Sequence, residues 1–149
     1  MLIDAINKKN PFTQTTDGLL VFYDASRSMN ISITRQNISF GINHKSISSD
    51  RFLYATGSTQ TYSTGYRIYR NGVVTAMSIQ SSNNASATIS LRKNNLTTSL
   101  YDLQLNSESG KSVDNLNVLL SENDWLQVYI HNITLAINYP IVTLEMAWR

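Results

Sequence analysis

From Gly18 onward, apolar residues recur at every second position in short runs, and each run ends at polar or turn-forming residues. Ile31 and Ile33 begin the pattern, and Ile38, Phe40 and Ile42 continue it. Leu116, Val118 and Leu120 repeat it, as do Leu126, Val128 and Ile130, then Val142, Leu144, Met146 and Trp148. Alternate residues of a strand share one face, whereas a helix brings together residues three and four apart. No segment keeps the helical spacing for more than two turns. The compact run at residues 19–23 and the segments 51–56, 66–70, 73–80 and 87–91 are further strand candidates, punctuated by Asn71-Gly72 and Asn94-Asn95. About eight to ten strands separated by turns predict an all-β domain, a jelly-roll β-sandwich. No period of 20 to 50 residues repeats, so a propeller or solenoid is not expected.

Composition agrees with the pattern. Of 149 residues, 16 are Asn, 19 Ser and 14 Thr, short polar side chains that favour turns and strand faces over helices. At 15% the charged fraction is below that of most soluble domains, which argues against a highly charged disordered chain. A single domain of this length buries roughly 68–70% of its unfolded surface and needs no staple. It has none available: the absence of cysteine removes disulfides, thiol catalysis and thiolate metal sites together.

The net charge of +2 comes from 12 basic and 10 acidic residues scattered along the chain. Only Lys8-Lys9 and Arg92-Lys93 are adjacent basic pairs, which is not the clustered footprint of a nucleic-acid binder. No apolar run approaches 18 residues, so no membrane partner is expected. The start of the chain lacks the basic and long apolar regions of a signal peptide. The five Asn-x-Ser/Thr sequences, at Asn30, Asn37, Asn84, Asn95 and Asn132, are therefore read as chance in a Ser/Thr-rich chain.

Residues 1–17 are expected to form an N-terminal arm, and 18–149 the sandwich. Leu2, Ile3 and Ile6 make one apolar face of a short helical turn, interrupted by Lys8, Lys9 and Pro11, and residues 13–18 read as a polar link. That arm either docks on a partner or folds back on its own domain. The last run, residues 141–148, is apolar on nearly both faces. Such a strand at a sheet edge would be sticky. Either it lies centrally in its own sheet, or Ile141, Thr143, Glu145 and Ala147 face another subunit.

Chemistry has little to stand on. Neither His44 nor His131 lies in a metal-binding spacing, and no nucleophile elbow or phosphate-cradling loop occurs. The oxygens of Asp114, Asn115 and Asn117, and of Glu122, Asn123 and Asp124, are of the kind calcium accepts, but ordinary turn chemistry explains them equally. No cofactor and no catalytic residue are expected. Tyr54, Tyr62, Tyr66 and Tyr69 fall close together among Ser, Thr, Gly and Arg. Rings with polar tips serve strand packing, subunit interfaces and sugar stacking alike.

Three stretches carry a resemblance: Asp114-Asn115-Leu116-Asn117-Val118, Asp124-Trp125-Leu126-Gln127-Val128-Tyr129, and the closing run from Pro140 through Trp148 to Arg149. With Asp17-Gly18-Leu19 and Phe22-Tyr23-Asp24-Ala25-Ser26-Arg27, they resemble small virion structural proteins of tailed bacteriophages. The order of an apolar strand, an acidic turn, an aromatic-rich strand and a final apolar strand also resembles the C1q/TNF-like trimeric jelly roll. Asn123-Asp124 stands where that fold usually has Gly-Asp, and no collagen-like stalk precedes the domain. The resemblance implies a non-enzymatic virion protein made in a bacterial cytoplasm, a homotrimer decorating a capsid. Its arm would hold the major capsid protein or another virion protein. The alternative it implies is the tip of a tail fibre recognising host-surface glycans, and less so a glycan-cleaving tail enzyme.

Overall fold

The computed structural model describes residues 12–14, 20–24, 29–42, 46–55, 64–94 and 97–148, and for those before Arg35 the backbone alone. All the regular structure described is β. The strands are β1 (Phe12–Gln14), β2 (Leu20–Asp24), β3 (Met29–Gly41), β4 (Ser46–Ile47), β5 (Arg51–Phe52), β6 (Tyr54–Ala55) and β7 (Tyr66–Arg67), followed by β8 (Gly72–Lys93), β9 (Tyr101–Val113), β10 (Val118–Leu120), β11 (Trp125–Leu135), β12 (Ile137–Asn138) and β13 (Ile141–Trp148). Every pairing is antiparallel. Eleven strands form one sheet along the path β1-β2-β3-β13-β8-β11-β5, and β12 pairs β4 separately. The sheet nearly closes on itself as a barrel-like jelly roll.

Strand β8 makes that closure possible. One edge carries β9 along most of its length, from Met77↔Val113 to Leu91↔Tyr101. The other edge changes partner: β13 occupies Gly72 to Gln80, and β11 occupies Ser86 to Lys93. The switch falls where the β8–β9 register slips, between Gln80 and Ser86. Strands that pass from one layer to the next through a bulge or bend form the corners of such sandwiches. Here the corner is pinned by Asn83. Its Nδ2 donates to the Ala136 carbonyl at 2.9 Å, and its Oδ1 accepts from the Asn138 N–H at 2.8 Å. Ser81 Oγ donates to the same Oδ1 at 2.8 Å.

The alternating residues meet inside. Ile38 and Phe40 of β3, Val142, Leu144, Met146 and Trp148 of β13, and Ile89 and Leu91 of β8 are buried with Leu126, Val128 and Ile130 of β11. Fully burying an aliphatic side chain contributes about 1.5–3 kcal/mol, so the period-two pattern is the main source of stability. Close packing also explains Gly72. A Cβ there would stand 2.7 Å from the Ala147 carbonyl oxygen and 2.8 Å from the Trp148 ring. Asn71-Gly72 leads directly into β8, and the glycine makes room for tryptophan.

Several expectations change. Residues 73–80 and 87–91 belong to one strand of 22 residues. The 13-residue β9 has no counterpart in the sequence reading. Only Tyr66–Arg67 of the 66–70 candidate is strand. Thr13 and Gln14, read as part of a polar link, pair with Val21 and Leu20 in an edge strand. The last strand is no edge: β13 lies between β3 and β8. The helical turn proposed around Leu2, Ile3 and Ile6 lies outside the described residues.

Candidate functional site: the outer face around the last strand

From Ile141 to Met146 the burial of β13 alternates, and at Ala147 and Trp148 both faces are covered. Val142, Leu144, Met146 and Trp148 are at most 1% exposed, whereas Ile141 is 53% exposed. Thr143 and Glu145 are half-buried on the same outer face. Cross-strand pairing extends that face into rows. Thr143 stands opposite Ser39 and Ser78, with Ser112 beyond, and Ala147 stands opposite Arg35 and Val73, with Leu119 beyond. The Thr143 row is made of hydroxyl side chains. Ser39 Oγ and Thr143 Oγ1 are 3.3 Å apart, and Leu119, at 65% exposed, ends the last row as an apolar knob. Ala147 itself is buried.

Glu145 is the charged centre of the face. Its Oε1 accepts from Arg35 at 3.1 Å and from Thr75 Oγ1 at 2.6 Å. Thr75 reaches it because a bulge leaves that residue unpaired between Ala76 and Val74, which oppose Glu145 and Met146. Two adjoining hollows of about 360 and 500 Å³ open beside it. Asn37, Ser78, Thr143 and Ser112 line one; Arg35, Val73, Asn115, Leu116 and Asn117 line the other; Asp114, Ala76 and Glu145 line both. Asp114 and the second oxygen of Glu145 have no partner among the described residues. Together these make a shallow polar groove with two carboxylates and one guanidinium.

Three of the four tyrosines singled out in the sequence are described. Tyr54 is half-buried on β6, beside Gly41 of β3. Tyr66 is half-buried on β7, opposite Leu126. Burial, with the neighbouring Tyr69 adding to it, raises the Tyr66 hydroxyl above its ordinary pKa. Tyr69 is 57% exposed and stacks on Trp148 with ring centres 5.3 Å apart, while the Arg70 guanidinium lies over both rings. Tyr62, His44, Leu2, Ile3 and Ile6 lie outside the described residues.

A polar cluster that the sequence reading missed lies on the opposite part of the sheet. Ser90, 1% exposed, holds its Oγ 2.5 Å from Asp102 Oδ1 and 2.7 Å from His131 Nε2. The three residue types are those of a hydrolase triad, but the order is wrong. A nucleophilic serine gives its proton to histidine, and the acid orients that histidine through its other nitrogen. Here the acid takes the serine proton, so His131 Nε2 must donate and is not available as the base. Tyr129 stacks beside His131, and the Arg92 guanidinium sits 4.0 Å over the Tyr129 ring. No spacing in the sequence signals the cluster, because its members come from three strands in register.

Asp124, one of the oxygens that would suit calcium, is already engaged. It is buried, accepting from the Ser121 N–H at 2.8 Å and the Asn94 amide at 2.7 Å, with Lys93 Nζ at 3.1 Å. Burial alone would raise its carboxyl, but the three hydrogen bonds and the Lys93 charge outweigh it and hold the group below its ordinary value. Among the described residues no three His, Asp or Glu side chains gather as a metal site.

No protein-family model matches the chain, and no curated protein matches it. Among solved structures the fold is similar to PRD1 vertex protein P5, with a TM-score of 0.47 and 14% identity over 88% of this chain and 82% of that chain.

Proposed function

We propose that this chain is a non-enzymatic structural subunit of a tailed-phage virion, a homotrimer that decorates the capsid. The observation that carries the reading is the outer face around β13. A strand in the middle of a sheet, fully packed on its inner side, has an outer face of Ser and Thr rows together with exposed Ile141 and Leu119. Ile141, Thr143, Glu145 and Ala147 are the proposed inter-subunit residues. Closed threefold symmetry would cover the same patch on every copy. The polar groups elsewhere support the reading by the work they do inside the fold: Asp124 fastens a turn, and Ser90 bridges strands. The arm, through Leu2, Ile3 and Ile6, would attach the subunit to the major capsid protein or another virion protein.

A second reading is favoured by one observation, the exposed Tyr69 ring propped on Trp148 beside Arg70. An exposed aromatic ring with a cation beside it suits a sugar ring, as at the tip of a tail fibre. Copy number separates the two readings. Quantitative mass spectrometry of purified particles should find this chain on the order of hundreds of times per virion, as closed trimers spread over a capsid require. Tens of copies or fewer would favour the fibre tip, and absence from particles would refute both.

A further inference from the structure

Tyr69 is 57% exposed although one side of its ring is already covered. Its centre lies 5.3 Å from that of Trp148, and the Arg70 guanidinium carbon lies 5.5 Å from both rings. Three nearly equal separations make a near-equilateral triangle. Arg70 therefore stands on the Trp148 side of the Tyr69 ring, not across it, and the opposite face is left to solvent. The ring is also held from beneath. Trp148 is 1% exposed, fits against Gly72, and donates its indole N–H to Gln36 Oε1 at 3.0 Å. A ring fixed before a ligand arrives loses little freedom when one binds. Two guanidiniums accompany it. Ile68 is fully buried, and its neighbours Arg67 and Tyr69 both turn outward, followed by exposed Arg70. Arg67 donates to Asn123 Oδ1 at 3.0 Å and Arg70 rests against the two rings, so both charges meet neutral groups. Among the described residues no carboxylate makes an ion pair with either arginine. In the adjoining turn Asp124 is taken by Lys93 and Asn94.

We propose that the free face of Tyr69 binds a pyranose carrying a carboxylate, a uronic-acid unit of an acidic polysaccharide, with Arg70 holding the carboxylate and Arg67 adding to the positive field. The inference rests on the second reading above, sugar stacking on this ring, and adds to it the charge of the sugar. The C–H groups on one side of a pyranose lie flat on the negative face of an aromatic ring. A planar guanidinium matches a carboxylate through two parallel hydrogen bonds. A neutral sugar would use the ring and leave both cations unmatched. A single-stranded nucleic acid also offers anions and flat rings, but its binding sites are tracks of cations with several aromatic rings in succession. Here one exposed ring stands beside two guanidiniums, in a chain whose net charge is only +2.

The test applies the full chain to an array of immobilised bacterial polysaccharides, acidic and neutral. Each uronate-bearing polysaccharide is printed beside a twin whose carboxylates have been reduced to alcohols. Binding to at least one uronate polysaccharide is expected, with affinity for its reduced twin lower by about tenfold or more, the worth of one charge-assisted pair. Arg70→Gln should lose about the same factor on the acidic member and leave the twin unchanged. Tyr69→Ala should abolish binding to both, and Tyr69→Phe, which keeps the ring, should retain it. Tyr69 and Arg70 are exposed, and circular dichroism checks that each variant is folded. If Tyr69→Ala does not fold, Arg70→Gln decides: binding like the wild type overturns the proposal. Equal binding to an acidic polysaccharide and its reduced twin also overturns it, and leaves the sugar reading standing. Retention of no polysaccharide, or a folded Tyr69→Ala that binds like the wild type, overturns both. Tighter binding to oligothymidylate than to any polysaccharide overturns both in favour of a nucleic acid.

Discussion

Asp124 illustrates how a polar residue in this chain is used. Its type and neighbours read equally as a turn or as cation ligands, and only the fold shows Lys93 and Asn94 arriving from the end of β8 to meet it. Replacing it with alanine leaves the Ser121 N–H and the Asn94 amide unsatisfied, which should cost about 1–3 kcal/mol at pH 7 in urea unfolding. The pH dependence follows from the depressed carboxyl. A group held lower in the folded state stabilises fully above its unfolded pKa, about 3.9, and the contribution is lost as pH falls through the folded value. The deficit of Asp124→Ala should therefore shrink below about pH 4. A deficit unchanged down to pH 2 would show that the carboxylate charge contributes nothing. The Ser90, Asp102 and His131 cluster was illegible for a related reason. Each residue is ordinary in its own strand, and only the register of three strands brings them together.

At the scale of elements, legibility followed burial. Strands that alternate around buried aliphatic residues, such as β11 and β13, were recognised from their spacing. β9 was not, because Leu103 and Leu105 are its only fully buried residues, and between them and Val113 the strand is Asn, Ser, Gly and charge. In sequence β8 reads as two strands because Ser81, Ser82, Asn83 and Asn84 look like a turn. They form a corner instead, where β8 leaves β13 for β11 without ending. Asn83 holds that corner by acting as a strand edge toward Ala136 and Asn138. Its replacement by alanine should destabilise the fold by about 1–3 kcal/mol, since a carbonyl and an N–H lose their partner together. Amide exchange at Asn138 should accelerate more than at Ile89 or Val128. Equal acceleration everywhere would mean that the corner does not open on its own.

For the whole molecule, period-two spacing was enough to give the all-β class, the jelly-roll architecture and the core face of the final strand. The central position of β13 was one of two alternatives left open by its apolar character, since pairing partners are not written in a strand's own residues. Assembly is one step further removed. Ala147 is buried within the outer face, so Ala147→Arg places a long cation among the rows proposed to meet a neighbour and spares Val142, Leu144, Met146 and Trp148. The measurement that bears most directly on the trimeric reading is mass in solution by light scattering at micromolar concentration, wild type against Ala147→Arg. Three copies for the wild type and one folded copy for the variant, with unchanged β-sheet circular dichroism, is the predicted result. A monomeric wild type would contradict the account, as would a variant that stays trimeric.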